Sequence, residues 1–405
     1  MMKKLLICTL ATLLLTSCTE KTPPQDYYNT EDGRMLGNTH YSNPDTFGIQ
    51  VWNPAWDEPY MGLCRDPLCT HDSKDSLCPS SVYMQMSFQS VVTDGYQLYL
   101  NTGNDLLYKN GASFRQIYSL NPDGSEFQLL HTFSVTANTP PGLQYADGYL
   151  YFKQGVYNES YDPQNGDPAG DQIMQIMRIP VSGGDAETVL DGQSDTNRTL
   201  YVDGEHYYLV SAAGTNRPVI DVVDIDTGKV TGDVLPGLDS GACNITVYSG
   251  KTWLVHTFAS DNTDQFDPMG DLYVWRDGGF ELICDDKFDY SFGGGIWYKE
   301  RAERTYIGTV DAPTGGPRDE TVPVDLYIEP TTKLCRLAPA DFSITEYTPS
   351  SDFDPEDTIH ISSTDESGIR AHISNSRKRL AGEADSYDCF IRCENGKIEI
   401  EKIYE

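Results

Sequence analysis

Along most of the chain, apolar residues come in short runs rich in Val, Ile, Tyr, Phe, Trp and Thr, broken by Gly, Pro, Asn and Asp. β-Branched and aromatic side chains suit a pleated, half-buried surface, and the breakers supply turns. The pattern therefore predicts strands throughout and almost no helix, an all-β protein. One stretch sets the template: Tyr145-Ala-Asp-Gly-Tyr-Leu-Tyr-Phe152 reads as a strand, an Asp-Gly turn and an aromatic strand. Weaker copies are Val92-Thr-Asp-Gly-Tyr-Gln-Leu-Tyr-Leu100, Tyr201-Val-Asp-Gly-Glu-His-Tyr-Tyr-Leu209 and Tyr248-Ser-Gly-Lys-Thr-Trp-Leu-Val255. Gly accepts the positive φ of a tight turn, so each copy predicts a hairpin.

The turn glycines Gly95, Gly148, Gly204 and Gly250 lie 53, 56 and 46 residues apart. Each copy is followed by a second candidate hairpin, with tips at Asn121 to Gly124, Val181 to Gly184, Asp226 to Gly228 and Asp277 to Gly279. Four strands per recurring unit predict the blade of a β-propeller. Beyond residue 285 the repeat blurs. A fifth unit is expected from Gly295–Lys299, Thr305–Val310, Val324–Ile328 and Lys333–Leu337. A sixth is expected from Asp357–Ser362, Ile369–Ser374, Cys389–Gly396 and Lys397–Ile403. Phe47–Trp52 and Pro59–Cys64 read as the outer hairpin of one more. Dividing residues 28–405 by a unit of about 54 residues gives seven blades, with six or eight as the alternatives. Residues 155–171 and 311–321 interrupt their units as loops.

The beginning of the chain departs from this pattern. Lys3-Lys4 precede an apolar run, Leu5 to Leu15, far short of the ~20 residues that cross a bilayer, so it reads as a signal segment. Leu15-Thr16-Ser17-Cys18 resembles the lipobox of bacterial lipoproteins, and by that resemblance Cys18 is the lipidated first residue of the mature chain. An ordinary secretory signal is the competing reading. The expected organisation is a signal peptide over 1–18, a flexible linker over 19–32 containing Pro23-Pro24, and a propeller domain over 33–405. The 29 basic and 61 acidic residues give a net charge of −32, which repels nucleic acid and anionic headgroups. The expected partners are the membrane, through the lipid anchor, and a protein, peptide or glycan, not nucleic acid.

Candidate chemistry is concentrated at residues 63–79. Cys64, Cys69, His71 and Cys78 place three thiols and an imidazole within fifteen residues of turn-rich chain, a donor set that satisfies a structural Zn²⁺. Disulfides are the competing reading. With Cys8 and Cys18 excluded, Cys64, Cys69, Cys78, Cys243, Cys284, Cys335, Cys389 and Cys393 make an even number in an exported chain, and free thiols are the third reading. Cys389 and Cys393 share one face of an expected strand and read as small packed hydrophobes. The acidic loop Asp261 to Asp271 offers oxygen ligands without EF-hand spacing and reads as solvated. No Gly-x-Ser-x-Gly, His-Glu-x-x-His or Walker motif occurs. Thr246 to Trp253 keeps only the second half of a sialidase-type box.

Taken together, the lipobox, the Asp-Gly-Tyr-Leu-Tyr-Phe repeats and the Cys64/Cys69/His71/Cys78 segment resemble uncharacterised propeller lipoproteins of clostridial-type anaerobic bacteria, which are similar to TolB-like propellers. The resemblance implies a propeller fold and an envelope address, and brings no catalytic residues with it. Three functions are open on these grounds: a surface binding module, a hydrolase or lyase acting on an extracellular polysaccharide, and a purely structural member of an envelope complex. The second requires carboxylates converging in a central pocket beside Arg or His, and the third predicts co-purification with partners and no ligand pocket. For the anchor, a Cys18→Ser chain is expected to move from the detergent phase to the aqueous phase in Triton X-114 partitioning of expressing bacteria. Retention in the detergent phase would remove the lipidation reading.

Overall fold

The computed structural model describes residues 27–29, 34–36, 39–42, 49–53, 55, 61–63, 88–102, 107–109, 112–135, 142–157, 172–193, 198–211, 217–258, 269–313 and 321–404. Among them the chain is mostly strand. Sheet one is an antiparallel succession of β1 (Tyr27–Asn29), β2 (Arg34–Leu36), β3 (Thr39–Ser42), β4 (Gln50–Trp52) and β5 (Met61–Gly62). Its first strand falls within the stretch expected to be linker, and its last two fall in the hairpin expected from Phe47–Trp52 and Pro59–Cys64. Sheet two contains β6 (Phe88–Thr93), β7 (Leu98–Thr102), β8 (Leu107–Lys109), β9 (Ala112–Leu120) and β10 (Gln128–Val135). Its path runs β6-β7-β9-β10, with β8 paired to β9.

Sheets three and four are plain four-stranded antiparallel meanders. They comprise β11 (Leu143–Ala146), β12 (Tyr149–Tyr157), β13 (Gln172–Pro180) and β14 (Glu187–Gln193), then β15 (Thr199–Val202), β16 (His206–Val210), β17 (Ile220–Asp224) and β18 (Val230–Thr231). The remainder of the chain departs from uniform four-stranded units. β19 (Ala242–Tyr248), β20 (Lys251–Phe258), β21 (Met269–Arg276), β22 (Gly279–Phe292) and β23 (Ile296–Arg301) run into one another. After the hairpin of β24 (Thr305–Pro313) and β25 (Thr321–Ile328) come β26 (Thr331–Leu337), β27 (Ile344–Pro349), β28 (Thr358–Thr364) and β29 (Ile369–Ser374). The helix α1 (Ser376–Ala381), β30 (Ser386–Glu394) and β31 (Lys397–Tyr404) complete the chain.

Two links stitch these strands into one eleven-stranded path. β22 is long and bent: its first part pairs with β21 and its last part with β23, and Asp286 and Asp289, at φ 53° and 52°, mark the bend. β27 also meets β31 in two parallel pairs, Thr348↔Lys397 and Pro349↔Ile398.

The expected fifth unit is corrected. Among the described residues β24 and β25 pair only with each other, while β26 lies beside β23 in the register Ile296↔Leu337 to Arg301↔Thr331, and β27 follows. A central strand needs apolar side chains on its faces. β26 supplies buried Leu334, Cys335 and Leu337, whereas Thr305, Tyr306, Thr309 and Asp311 of β24 are exposed. The sixth expected unit corresponds to β28–β31.

The core is distributed between sheets rather than gathered at one centre. Val92, Tyr99, Phe133 and Val135 of sheet two pack on Leu143, Leu150, Phe152 and Ile179 of sheet three. Sheets three and four meet through Tyr151, Ile176, Leu200 and Tyr207, and sheet four meets β19–β21 through Tyr208, Val222, Ile245 and Leu254. Trp253 and Leu272 pack on Ile296 and Leu337, and Leu334 and Tyr347 on Ile359, Ile369 and Ile391. Sheet one joins sheet two through Tyr41, Val51, Leu98 and Leu120. Its other face meets the end of the chain: Trp52 lies 6.0 Å from the Phe390 ring, beside Tyr404. Each such contact removes apolar area from water at roughly 25 cal/mol per Å².

The template turns come in two designs. Asp147-Gly148 and Ser249-Gly250 are two-residue loops with both residues at positive φ, closing Ala146↔Tyr149 and Tyr248↔Lys251. That is the turn whose twist matches a right-twisted hairpin. Asp94 and Asp203 instead head four-residue loops, closing Thr93↔Leu98 and Val202↔Tyr207. Asp203 Oδ1 accepts the N–H groups of Glu205 and His206, and Oδ2 accepts the Tyr208 hydroxyl at 2.6 Å and the Thr252 hydroxyl at 2.8 Å. Asp94 does the same for Tyr96, Gln97 and the Tyr99 hydroxyl. Five residues after Asp147 stands Phe152, which has no hydroxyl to offer. Asp203→Ala is expected to cost about 2–3 kcal/mol in urea unfolding, by orphaning buried donors, and Asp147→Asn less than about 0.5 kcal/mol, as for an exposed turn. Equal effects would remove the distinction between the two turns.

Candidate functional site

The leading strands β6, β11 and β15 lie in succession, and β1 sits against β6 and β19. The turn ends of β11, β15 and β19, together with Asn29 of β1, enclose a cavity of about 390 Å³. Asn29 is held in place by the Thr93 backbone: its Nδ2 donates to the Thr93 carbonyl at 3.0 Å, and the Thr93 N–H donates to its Oδ1 at 2.9 Å. The wall is polar at Asn29, Gln144, Asp147, Asp203, Thr246 and Ser249, with the rings of Tyr145 and Tyr201 between. Asp203 is engaged at both oxygens by its own turn and by Thr252, while Asp147 stands exposed at its tip. Among the described residues, this wall contains no His, Lys or Arg. Glycoside chemistry needs two carboxylates free to act as acid and as base or nucleophile, and that pair is not formed here.

A buried ionic cluster lies elsewhere, on β22, β23 and β28, beside a second cavity of about 540 Å³ beneath the β24–β25 hairpin. Lys299 is fully buried and makes an ion pair with Asp289. Its Nζ also donates to the Ile359 carbonyl at 2.8 Å and lies 3.5 Å from His360 Nδ1. Burial lowers its pKa, and Asp289 opposes the shift. His360 Nε2 is 3.0 Å from Ser374 Oγ. Burial, with the Lys299 charge adding to it, brings the His360 pKa down to about 4. Arg301 Nη1 is 2.6 Å from Glu329, and Arg304 Nε is 3.0 Å from the same carboxylate. Their guanidiniums lie over Phe288 and Tyr327 respectively.

A serine beside a histidine invites comparison with a nucleophile and its base. The group on the far nitrogen decides against it. In a catalytic triad a carboxylate accepts from Nδ1, leaving Nε2 to take the serine proton. Here the Nδ1 neighbour is an ammonium, which can only donate. Nδ1 is therefore the acceptor, and Nε2 carries the proton and donates it to Ser374 Oγ. The pair fixes the serine hydroxyl; it does not activate it.

Cys18, Cys64, Cys69, His71 and Cys78 lie outside the described residues, as do most of the acidic loop before Asp271 and most of residues 155–171. Cys243, Cys284, Cys335, Cys389 and Cys393 carry free thiols. Cys389 and Cys393 both pack in the core between β26 and β28–β31. Burial raises the thiols of Cys243, Cys389 and Cys393 to about 12 and of Cys335 to about 11, which leaves them unreactive. Among the described residues no group of three His, Cys, Asp or Glu side chains is placed to hold a metal ion. No described helix is long and apolar enough to cross a membrane.

No family model matches the chain, and no curated protein matches it. Solved structures do. The β-propeller domain of the trilobed protease from Pyrococcus furiosus is 10% identical over 78% of this chain and 95% of its own, with a TM-score of 0.34. TolB from Acinetobacter baumannii is 12% identical over 92% and 80%, with a TM-score of 0.33. A prolyl endopeptidase is 9% identical over 86% of this chain and 54% of its own, with a TM-score of 0.41. With scores below 0.5, these likenesses carry no argument for an activity.

The His360 site has a stability consequence. Its folded pKa is depressed below the ordinary 6.5. The unfolded chain therefore binds the extra proton between pH 6.5 and 4. Stability from this group is present above 6.5 and falls as pH drops through that window, by up to about 3 kcal/mol. In urea titrations at pH 7 and pH 4.5, His360→Gln is expected to lose less stability on acidification than the parent. Identical losses would place the titration elsewhere.

Proposed function

We propose that the chain is a lipid-anchored, extracytoplasmic β-propeller that serves as a binding module for a protein, peptide or glycan. The observation that carries this reading is the first cavity: polar, open, formed by the turn ends of successive leading strands, and without a catalytic constellation in its described wall. Rigid strands that present turns around an opening suit recognition, and loops on such scaffolds carry binding.

Seven units are counted as follows: sheet one, sheet two, sheet three, sheet four, β19 to the first part of β22, the last part of β22 with β23, β26 and β27, and β28–β31. The seven apolar clusters fall one between each neighbouring pair, and the cluster at Trp52, Phe390 and Tyr404 joins the last unit to the first. This succession supports a ring of seven blades, with the β24–β25 hairpin as an insertion. The anchor is proposed from Cys18, and the envelope address from the resemblance to clostridial-type propeller lipoproteins. The acidic surface suits neutral or cationic partners over nucleic acid.

The test is a glycan array and an envelope-protein crosslinking experiment with the mature chain. The reading expects a ligand whose retention falls at least tenfold when Gln144 and Asn29, two polar wall residues, are both replaced by Ala. Silence in both formats, or binding indifferent to those substitutions, overturns it.

A further inference from the structure

The second cavity has a composition at odds with the rest of the molecule. The whole chain carries about two acidic residues for each basic one. The lining of this cavity holds Arg301 and Arg379 against Asp325 and Glu329, and Glu329 also pairs with Arg304 behind it. The Lys299–Asp289 pair behind it compensates itself.

We propose that the cavity beneath the Thr305–Ile328 hairpin binds a small monocarboxylate, held by the Arg379 guanidinium and the hydroxyls of Ser374 and Ser376. These three donors come from one short segment, the end of β29 and the helix α1, and all three line the cavity. Arg379 is half exposed, and its nearest carboxylate, Asp385, stands at 4.0 Å, too far for a tight pair. Because His360 donates to Ser374 Oγ, the serine proton is left to be directed at a ligand. A guanidinium beside hydroxyl donors is the arrangement that grips a carboxylate.

The rest of the wall sets the ligand's charge and body. Asp325 and Glu329 stand in the same wall, so a dianion such as phosphate meets repulsion, whereas a single negative charge matches the one exposed guanidinium. Val324, Leu326 and Tyr327 in the same lining supply apolar surface. A cavity of about 540 Å³ holds considerably more than a bare ion. The chemistry is thus a carboxylate on a compact body, which a sugar acid and an acylated amino acid both provide. This site is separate from the first cavity, and the proposal stands whether or not that cavity binds anything.

The experiment is isothermal titration of the mature chain with glucuronate, N-acetyl-leucine, glucose and inorganic phosphate. At least one carboxylate is expected to bind one to one, at least tenfold more tightly than glucose or phosphate, and to shift the His360 ring resonances in NMR spectra. Which carboxylate binds better separates the sugar source from the amino-acid source. Arg379→Ala, a change at an exposed position, is expected to weaken binding at least tenfold while the Asn29/Gln144 double variant leaves it unchanged. Ser374→Ala is expected to weaken it severalfold. No binding by either carboxylate, equal binding of phosphate, or full affinity in the folded Arg379→Ala chain overturns the proposal.

Discussion

The packing of each sheet against its neighbours on both faces is the constraint on which everything else here depends. A sheet with one solvated face can alternate apolar and polar residues, but a sheet covered on both sides cannot. The strand His206–Val210 shows the result, with four consecutive buried residues, Tyr207, Tyr208, Leu209 and Val210, facing alternately into two different clusters. Tyr151 and Phe152 divide in the same way between the clusters on either side of sheet three. Because apolar area is shared between pairs of sheets, a single sheet removed from this succession would expose both its own faces and one face of each neighbour. Stability is therefore a property of the succession rather than of any one unit.

This arrangement also dictates where polar chemistry can sit. Strand faces are consumed by packing, so polar groups collect at turn ends, at the bend in β22 and where an inserted hairpin roofs over a sheet. The first cavity is of the turn-end kind, and the Asp203 carboxylate shows how such turns are held: four donors converge on it, two from its own backbone turn, one from the next strand and one from the neighbouring sheet. The second cavity is of the roofed kind. Its buried lysine is tolerated because its three N–H groups meet three acceptors, which offsets the cost of taking an ammonium out of water.

The sequence made the hairpins legible and the exceptions illegible, for physical reasons. Gly148 and Gly250 announce positive φ, and their turns are where the pattern places them. The bend in β22 relies on Asp286 and Asp289 at positive φ, and nothing in an acidic run distinguishes those two from ordinary surface aspartates. The hairpin Thr305–Ile328 was readable as strands but not as an insertion, because β-propensity reports extended backbone and is silent about which neighbour a strand will take. The second cavity was invisible for a related reason. Lys299 stands 61 residues before His360, and a lone histidine or buried lysine carries no pattern. The only signal was the break in periodicity at residues 311–321, which marked an interruption without saying what it covered.

The contact that joins the two ends of the chain is unlike the others. Between sheets two and three, ten buried apolar side chains interlock, whereas Trp52, Phe390 and Tyr404 alone form the described cluster between sheet one and β30–β31, with Arg370 lying over the Trp52 and Tyr404 rings. Sheet one is also the part of the fold nearest the chain's beginning. A pull on that end is therefore passed to residues more than 330 positions further along the chain. The early strands and the last ones are thus mechanically coupled through three aromatic rings, although the whole chain separates them in sequence.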